Sequence, residues 1–121
     1  HVLVHPGGEG TRALAADAGH LAWLRRLRAT TPLVTSVCTG ARVLAAAGLL
    51  AGRPATTSWD AFDDIALIDP SVLLDSEARF VDDGDVVTSA GVSAGIDMAL
   101  HLVARLDSVA TARQVRRALQ Y

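Results

Sequence analysis

The chain has 121 residues, which fits one domain, and half of them are hydrophobic while 20% are charged, which excludes a disordered protein. The formal net charge of −2 and the scattered arginines argue against nucleic-acid binding. The single cysteine, Cys38, excludes an internal disulfide and a cysteine zinc site.

The chain begins at His1 rather than methionine and runs at once into an apolar strand, so we expect a domain that is incomplete at its N-terminus. No stretch is apolar for long enough to cross a bilayer, and no basic segment followed by an apolar one marks an export signal. With one free cysteine, these features predict a cytoplasmic protein that does not bind membranes.

The first half of the chain predicts strands that alternate with helices. A β-branched run at residues 2–4 ends at Pro6-Gly7-Gly8, as a buried parallel strand ends at a tight turn. Leucines at helical spacing predict one helix over residues 13–28. After Pro32, residues 33–37 read as a second buried strand and residues 39–50 as a helix of small residues.

The alternation continues in the second half. The predicted elements are a strand at residues 54–57, a capping box at 57–60 that opens a helix through 68, a hairpin of 79–81 with 86–89, a helix over 96–106, and a last helix capped by Ser108. This order predicts an α/β fold with a mostly parallel sheet, whose ligands bind beyond the carboxyl ends of the strands.

Cys38 stands at the most informative position of the sequence. A buried strand ends one residue before it and a helix begins directly after it, which is the pattern of a nucleophile elbow. Gly40 and Ala41 are small, as the close approach of the helix to neighbouring backbone requires. The helix dipole and unpaired backbone N–H groups favour a thiolate, so Cys38 is predicted to be reactive. The alternative is a buried structural cysteine.

Other residues complete the candidate site or stand apart from it. The backbone N–H groups of Gly7 and Gly8 would face the same crevice and stabilise an oxyanion, unless this is an ordinary turn. Trp59 follows the third predicted strand and is expected to line the crevice. The histidines show no paired ligand spacing, so no metal site is predicted.

Three blocks of this sequence resemble the ThiJ/PfpI family of the class I glutamine amidotransferase-like superfamily, and above all its isonitrile-hydratase-like branch. The blocks are residues 4–12, which contain Pro6-Gly7-Gly8, residues 36–50, which contain Cys38-Thr39-Gly40, and residues 89–97. The resemblance implies a flavodoxin-like, doubly wound sheet with helices on both faces, formed by residues 1–121 but without the family's opening strand, helix and strand.

The resemblance also implies a function. Cys38 would be the nucleophile, and Gly8 and Thr39 would supply hydrogen bonds to the oxyanion or ligand. Together with the residues argued above, the predicted oxyanion- or substrate-binding residues are Gly7, Gly8, Thr39, Gly40 and Trp59. The protein would be a homodimer without cofactor or metal that converts a small-molecule isonitrile to a formamide. The acidic partner of the cysteine would lie before His1, so we expect the isolated chain to be inactive. The opening strand would be missing too, which would leave the strand at residues 2–4 unpaired, so we also expect poor solubility.

Two features leave other functions open. Many relatives have a histidine where this chain has Ser58, so chemistry that needs this imidazole, such as amidase or peptidase activity, is not implied. The same domain resembles the sensor half of AraC-type transcription regulators, whose DNA-binding helices would follow Tyr121. A glyoxalase or stress-response role in the same superfamily would use the same cysteine.

Overall fold

The computed structural model describes residues 1–121. The elements are β1 (Val2–His5), α1 (Thr11–Ala15), α2 (Ala18–Thr30), β2 (Leu33–Ser36), α3 (Gly40–Ala46), β3 (Pro54–Ala55), α4 (Phe62–Ile68), β4 (Leu73–Leu74), β5 (Phe80–Asp82), β6 (Val86–Ser89), α5 (Ser93–Leu106) and α6 (Val109–Ala118). No helix among them is both long and apolar enough to span a bilayer.

Four strands form the main sheet in the order β1-β2-β6-β5. β1, β2 and β6 are parallel, and β5 joins β6 as the antiparallel arm of the predicted hairpin. β3 and β4 pair in a separate parallel ribbon. The α/β fold with a mostly parallel sheet is therefore confirmed.

Helices cover both faces of this sheet, because alternate residues of the central strands point to opposite sides. Val34 and Val86 face one core, which they share with buried residues of α2, α3 and α4. Leu33 and Val87 face the other core, beneath Met98 and Leu102 of α5. All four residues of β2 are buried, as expected for a central parallel strand.

The single helix predicted over residues 13–28 is wrong. The chain forms two helices there, because the Asp17 side chain accepts a hydrogen bond from the backbone N–H of His20 and caps α2. β1 also differs from the prediction of a buried strand. It lies at the edge of the sheet, where Val2 and Val4 are exposed.

The segment after residue 50 departs further from the prediction. Only Pro54 and Ala55 pair as a strand, and the capping box at residues 57–60 is wrong, since α4 begins after Ala61 without a side-chain cap. The hydroxyl of Ser58 donates instead to the carboxylate of Asp60. The cap of the last helix is confirmed, because Ser108 accepts from the N–H of Thr111.

Candidate functional site

Cys38 sits on a sharp turn between β2 and α3. Its φ of 56° lies in the left-handed region, which non-glycine residues rarely adopt and which marks a strained elbow. Two hydrogen bonds hold this backbone: the N–H of Cys38 donates to the carbonyl of Ser89 at 3.2 Å, and its carbonyl accepts from the Thr57 hydroxyl at 2.8 Å. The side chain is partly exposed.

Two glycines allow this turn to form. A Cβ on Gly40 would lie 2.4 Å from the carbonyl oxygen of His5, so α3 could not begin this close to the end of β1 with any other residue. A Cβ on Gly7 would lie 2.9 Å from the Cβ of Cys38. The glycine turn and the elbow are thus packed directly against each other, which is the close approach predicted for Gly40.

The glycine turn carries polar groups to the elbow. The N–H of Gly8, at a φ of 119°, donates to the Thr39 hydroxyl at 2.9 Å. The N–H groups of Gly7 and Thr39 donate to no group of the chain. One N–H from the residue after a nucleophile and one from a neighbouring loop are the donors of an oxyanion hole on such elbows. Gly7, Gly8, Thr39 and Gly40 therefore all lie around Cys38.

A buried arginine supports the glycine turn from behind. Arg42 of α3 donates to the Thr11 hydroxyl at 2.7 Å and to the Asp64 carboxylate at 2.7 Å. Thr11 in turn donates to the carbonyl of Gly8 at 2.8 Å. This chain of hydrogen bonds links α4 to the turn beside the thiol. No local pattern indicates this network, because Arg42 reads as an exposed helix residue until α1 and α4 cover it.

A second polar group approaches the thiol from the loop that follows β3. A Cβ placed on Gly91 would lie 3.6 Å from the Sγ of Cys38 and 3.7 Å from the Oγ of Ser58. Ser58 is buried and donates to Asp60 at 2.6 Å. This hydrogen bond holds the pKa of Asp60 below its ordinary value. Ser58 and Gly91 thus form a further wall of the site.

The remaining candidates are Trp59 and the histidines. Trp59 is 87% exposed and lines neither cavity of the chain, so its contact with a substrate stays a prediction. His5 is buried and its ring contacts that of His20, while His101 pairs with Asp82 on the far side of α5. No group of three or more His, Cys, Asp or Glu side chains is placed to hold a metal ion.

An apolar cavity of about 320 Å³ opens between α5 and α6, next to the elbow. Val37 and Val92 line it, and they adjoin Cys38 and Gly91 in the chain. Its other walls come from residues 95–119 of these helices. A cavity of this size and polarity suits the apolar part of a small ligand.

Comparisons with known proteins agree with this geometry. The sequence profile of the DJ-1/PfpI family matches residues 1–105. Isonitrile hydratase from Pseudomonas putida is 42% identical over 99% of this chain and 51% of its own length. A ThiJ/PfpI family protein from Pseudomonas syringae superposes with a TM-score of 0.90 at 40% identity, over 99% of this chain and 49% of its own.

A regulator is also among the relatives. The HTH-type transcriptional regulator CdhR from Pseudomonas aeruginosa is 41% identical over 77% of this chain, but over only 27% of its own length. The chain spans about half the length of the isonitrile hydratase and of the Pseudomonas syringae protein. The chain is thus similar at nearly equal identity to a hydratase and to a transcriptional regulator.

Proposed function

Because the chain belongs to the DJ-1/PfpI family, we propose that its Cys38 is the nucleophile of a hydratase that adds water to a small electrophilic carbon compound, an isonitrile in the first instance. The hydratase needs no metal or organic cofactor, and it is a cytoplasmic homodimer. The observation that supports this most is the strained elbow, which presents the thiol beside two unpaired N–H groups.

The proposed reaction needs one nucleophile and one water molecule. The sulfur of Cys38 attacks the terminal carbon of the isonitrile, and the thiol proton moves to the same carbon, which gives a thioimidate. Water then adds to this carbon, the nitrogen gains a proton, and the carbon–sulfur bond breaks. The products are an N-substituted formamide and the free thiol. In this proposal the N–H groups of Gly7 and Thr39, which have no partner in the chain, stabilise charge on the oxygen that water supplies.

The polar and apolar surroundings of Cys38 fit this substrate class. The reacting carbon would lie in the polar crevice formed by Thr39, Ser58 and the glycine turn. The apolar group on nitrogen would extend toward the cavity of about 320 Å³ beside Val37. An isonitrile has one small reactive end and one apolar end, so each half meets a surface of matching polarity.

The test is turnover of an alkyl or aryl isonitrile by the purified protein, with the formamide measured by chromatography. Cys38→Ala and the nearly isosteric Cys38→Ser should both reduce formamide formation to the uncatalysed background, because neither side chain offers a thiolate. Circular dichroism should show that both variants keep the fold. Formamide production by either variant at the wild-type rate would assign the chemistry to another group.

The second candidate is a ligand-sensing domain, which the 41% identity to CdhR favours. A sensor would bind an electrophile or another small molecule without turning it over. Its melting temperature would rise with ligand concentration, as expected when a ligand binds only the folded state. In a sensor, the rise in melting temperature with ligand would persist in the Cys38→Ala variant. In an enzyme that binds its substrate covalently through Cys38, the same variant would lose this rise. Stress-response chemistry of the glyoxalase kind would instead consume a dicarbonyl compound through the same thiol.

A further inference from the structure

Gly91 leaves room for one small group between the thiol and Ser58. A carbon placed at its Cβ position would touch the Sγ of Cys38 at 3.6 Å and the Oγ of Ser58 at 3.7 Å. Apart from atoms of its chain neighbours, no other heavy atom of the protein lies within 4 Å of that position. These are ordinary contact distances for a methyl group bonded to the Cα of Gly91. The Sγ of Cys38 and the Oγ of Ser58 therefore face the same small gap, which the glycine leaves without a side chain.

The direction of the Ser58 hydroxyl is fixed from the other side. A serine has one hydrogen to donate, and that of Ser58 goes to the Asp60 carboxylate at 2.6 Å. Because this bond favours the ionised carboxylate, the pKa of Asp60 stays low and the orientation holds across the neutral range. Toward Cys38, the Oγ of Ser58 can therefore only accept a hydrogen bond. A group that bonds to this oxygen from the side of Cys38 must therefore be a hydrogen-bond donor.

The segment that carries Ser58 is itself anchored to the elbow. Thr57 donates from its hydroxyl to the carbonyl of Cys38, and the N–H of Thr56 donates to the hydroxyl of Thr88 on β6 at 2.9 Å. Both threonines are fully buried. The distance between Ser58 and the thiol is thus set by hydrogen bonds to the sheet and not by a mobile loop.

We propose that Ser58, oriented by Asp60, holds the water molecule that releases the product from Cys38. This inference rests on the proposed covalent role of Cys38 and assigns the second half of that reaction. Ser58 is then a catalytic residue, because its Oγ touches the reacting water, and Asp60 is a positioning residue that acts through Ser58. Because Gly91 has no side chain, the gap beside the thiol stays open for that water.

The step balances within these groups. The water oxygen bonds to the carbon that Cys38 holds, and the electron pair of the carbon–nitrogen double bond moves to nitrogen. One water proton passes to Ser58 while Ser58 passes its own proton to Asp60. Asp60 then gives its proton back to Ser58, and Ser58 passes one proton on to the nitrogen. The second water proton leaves with the cleavage of the carbon–sulfur bond and restores the thiol, while the oxygen stays in the formamide.

A general acyl donor tests this role without an isonitrile. Reaction of the purified protein with p-nitrophenyl acetate releases nitrophenolate and leaves an acetyl thioester on Cys38, whose lifetime intact-mass spectrometry follows. Ser58→Ala should prolong that lifetime by roughly 100-fold, the usual size of a general-base contribution. Gly91→Ala should do the same by filling the space of the water, and its ordinary contact distances predict a normal fold.

Two further variants separate the role of Asp60 from a change of structure. Asp60→Asn keeps an acceptor for Ser58 but removes the charge, and it should lengthen the lifetime by less than Ser58→Ala does. The exposed Asp63, on the first turn of α4, provides the matched control, since Asp63→Asn should leave the lifetime unchanged. Asp63→Asn should keep the wild-type burst rate of nitrophenolate, and each of the other three variants should still release one nitrophenolate per thiol, which a general disturbance of the site would not allow.

The outcomes are distinct. Equal thioester lifetimes in the wild-type protein and in Ser58→Ala would overturn the role of Ser58, even if isonitrile turnover is observed. If Ser58→Ala prolongs the thioester while an isonitrile neither modifies nor is consumed by the wild-type protein, the role of Ser58 stands and the proposed isonitrile chemistry fails. Accumulation of a thioimidate on Cys38 in Ser58→Ala, with an isonitrile as substrate, would support both.

Discussion

At the scale of single residues, the most unusual environment away from the thiol is that of His5. Its ring is buried at the end of β1, with one nitrogen 2.9 Å from the carbonyl of Pro6 and the other 3.0 Å from His20. Burial holds the pKa of His5 below its ordinary value of 6.5, against the opposing effect of the hydrogen bond to Pro6. The folded chain therefore keeps this ring neutral in mildly acidic solution.

We expect this histidine to make the protein less stable as the pH falls. Between the lowered pKa and about 6.5 the unfolded chain binds a proton that the folded chain does not, so the free energy of unfolding decreases with falling pH in that window. The slope is at most about 1.4 kcal/mol per pH unit for one group. Urea denaturation of the wild-type protein and of His5→Gln, from pH 7 to pH 5, measures it.

The variant with glutamine should lose most of this pH dependence, because it has no proton to bind. His101→Gln serves as the control, since it removes one imidazole, which contacts Asp82, without changing His5. An unchanged slope in His5→Gln would show that another group controls stability in this pH range.

At the scale of the elements, the contact between the end of β1 and the start of α3 is the least tolerant. Gly40→Ala would place a methyl group 2.4 Å from the carbonyl oxygen of His5 and 2.8 Å from that of Pro6, and backbone cannot move aside as a flexible side chain can. We expect destabilisation of about 1–3 kcal/mol, the range of overpacked cores, and a large loss of thiol reactivity.

Gly10→Ala is the matched control for this substitution, because no atom lies within 4 Å of its added Cβ. Thermal unfolding should give nearly the wild-type transition for Gly10→Ala and a clearly lower one for Gly40→Ala. Equal transitions in the two variants would mean that α3 can shift away from β1 at little cost.

The elements also show what local patterns can predict. Strands β2 and β6 and the elbow between β2 and α3 follow from apolar runs and from the small residues after Cys38, since each is determined by its own neighbourhood in the chain. The boundary between α1 and α2 was missed because the helical spacing of leucines continues across it. The boundary is determined by Asp17, whose side chain caps α2. The capping box failed because Ser58 bonds to Asp60 instead of to a helix N–H.

At the scale of the whole molecule, the candidate site could be predicted only in part. Cys38 and the Gly7-Gly8 turn were found because each has a local signature. Ser58 was noticed only as a substitution for histidine, and Gly91 was not singled out at all. Gly91 reaches the thiol because β6 pairs with β2 from a distance of about fifty residues. Ser58 reaches it because Thr56 and Thr57 bond to β6 and to the elbow. Sequence spacing encodes neither contact.

The edge of the sheet leads to a prediction about association. β1 has no partner on its outer side, and Val2 and Val4 of this strand are exposed. Exposed apolar edge strands promote pairing between chains, and lysine opposes it. Val4→Lys should therefore reduce concentration-dependent association in sedimentation experiments, with a change in unfolding free energy within about 0.5 kcal/mol.

Leu67→Lys is the control for charge, because Leu67 is exposed on α4 and is not part of the sheet. It adds the same charge without touching β1. If both variants reduce association equally, net charge and not the edge strand is responsible.

The pairing of β2 with β6 has a consequence for how the protein is made. Val34 meets Val86, and the thiol faces Gly91, so the walls of the site come from segments that leave the ribosome at widely separated times. Until the later segment emerges, the nascent chain carries Cys38 on an unsupported turn, open to oxidants and alkylating agents. Chaperone protection during synthesis would matter most in that interval. The reactivity that Cys38 shows in the complete protein would then indicate that the last third of the chain has folded against the elbow.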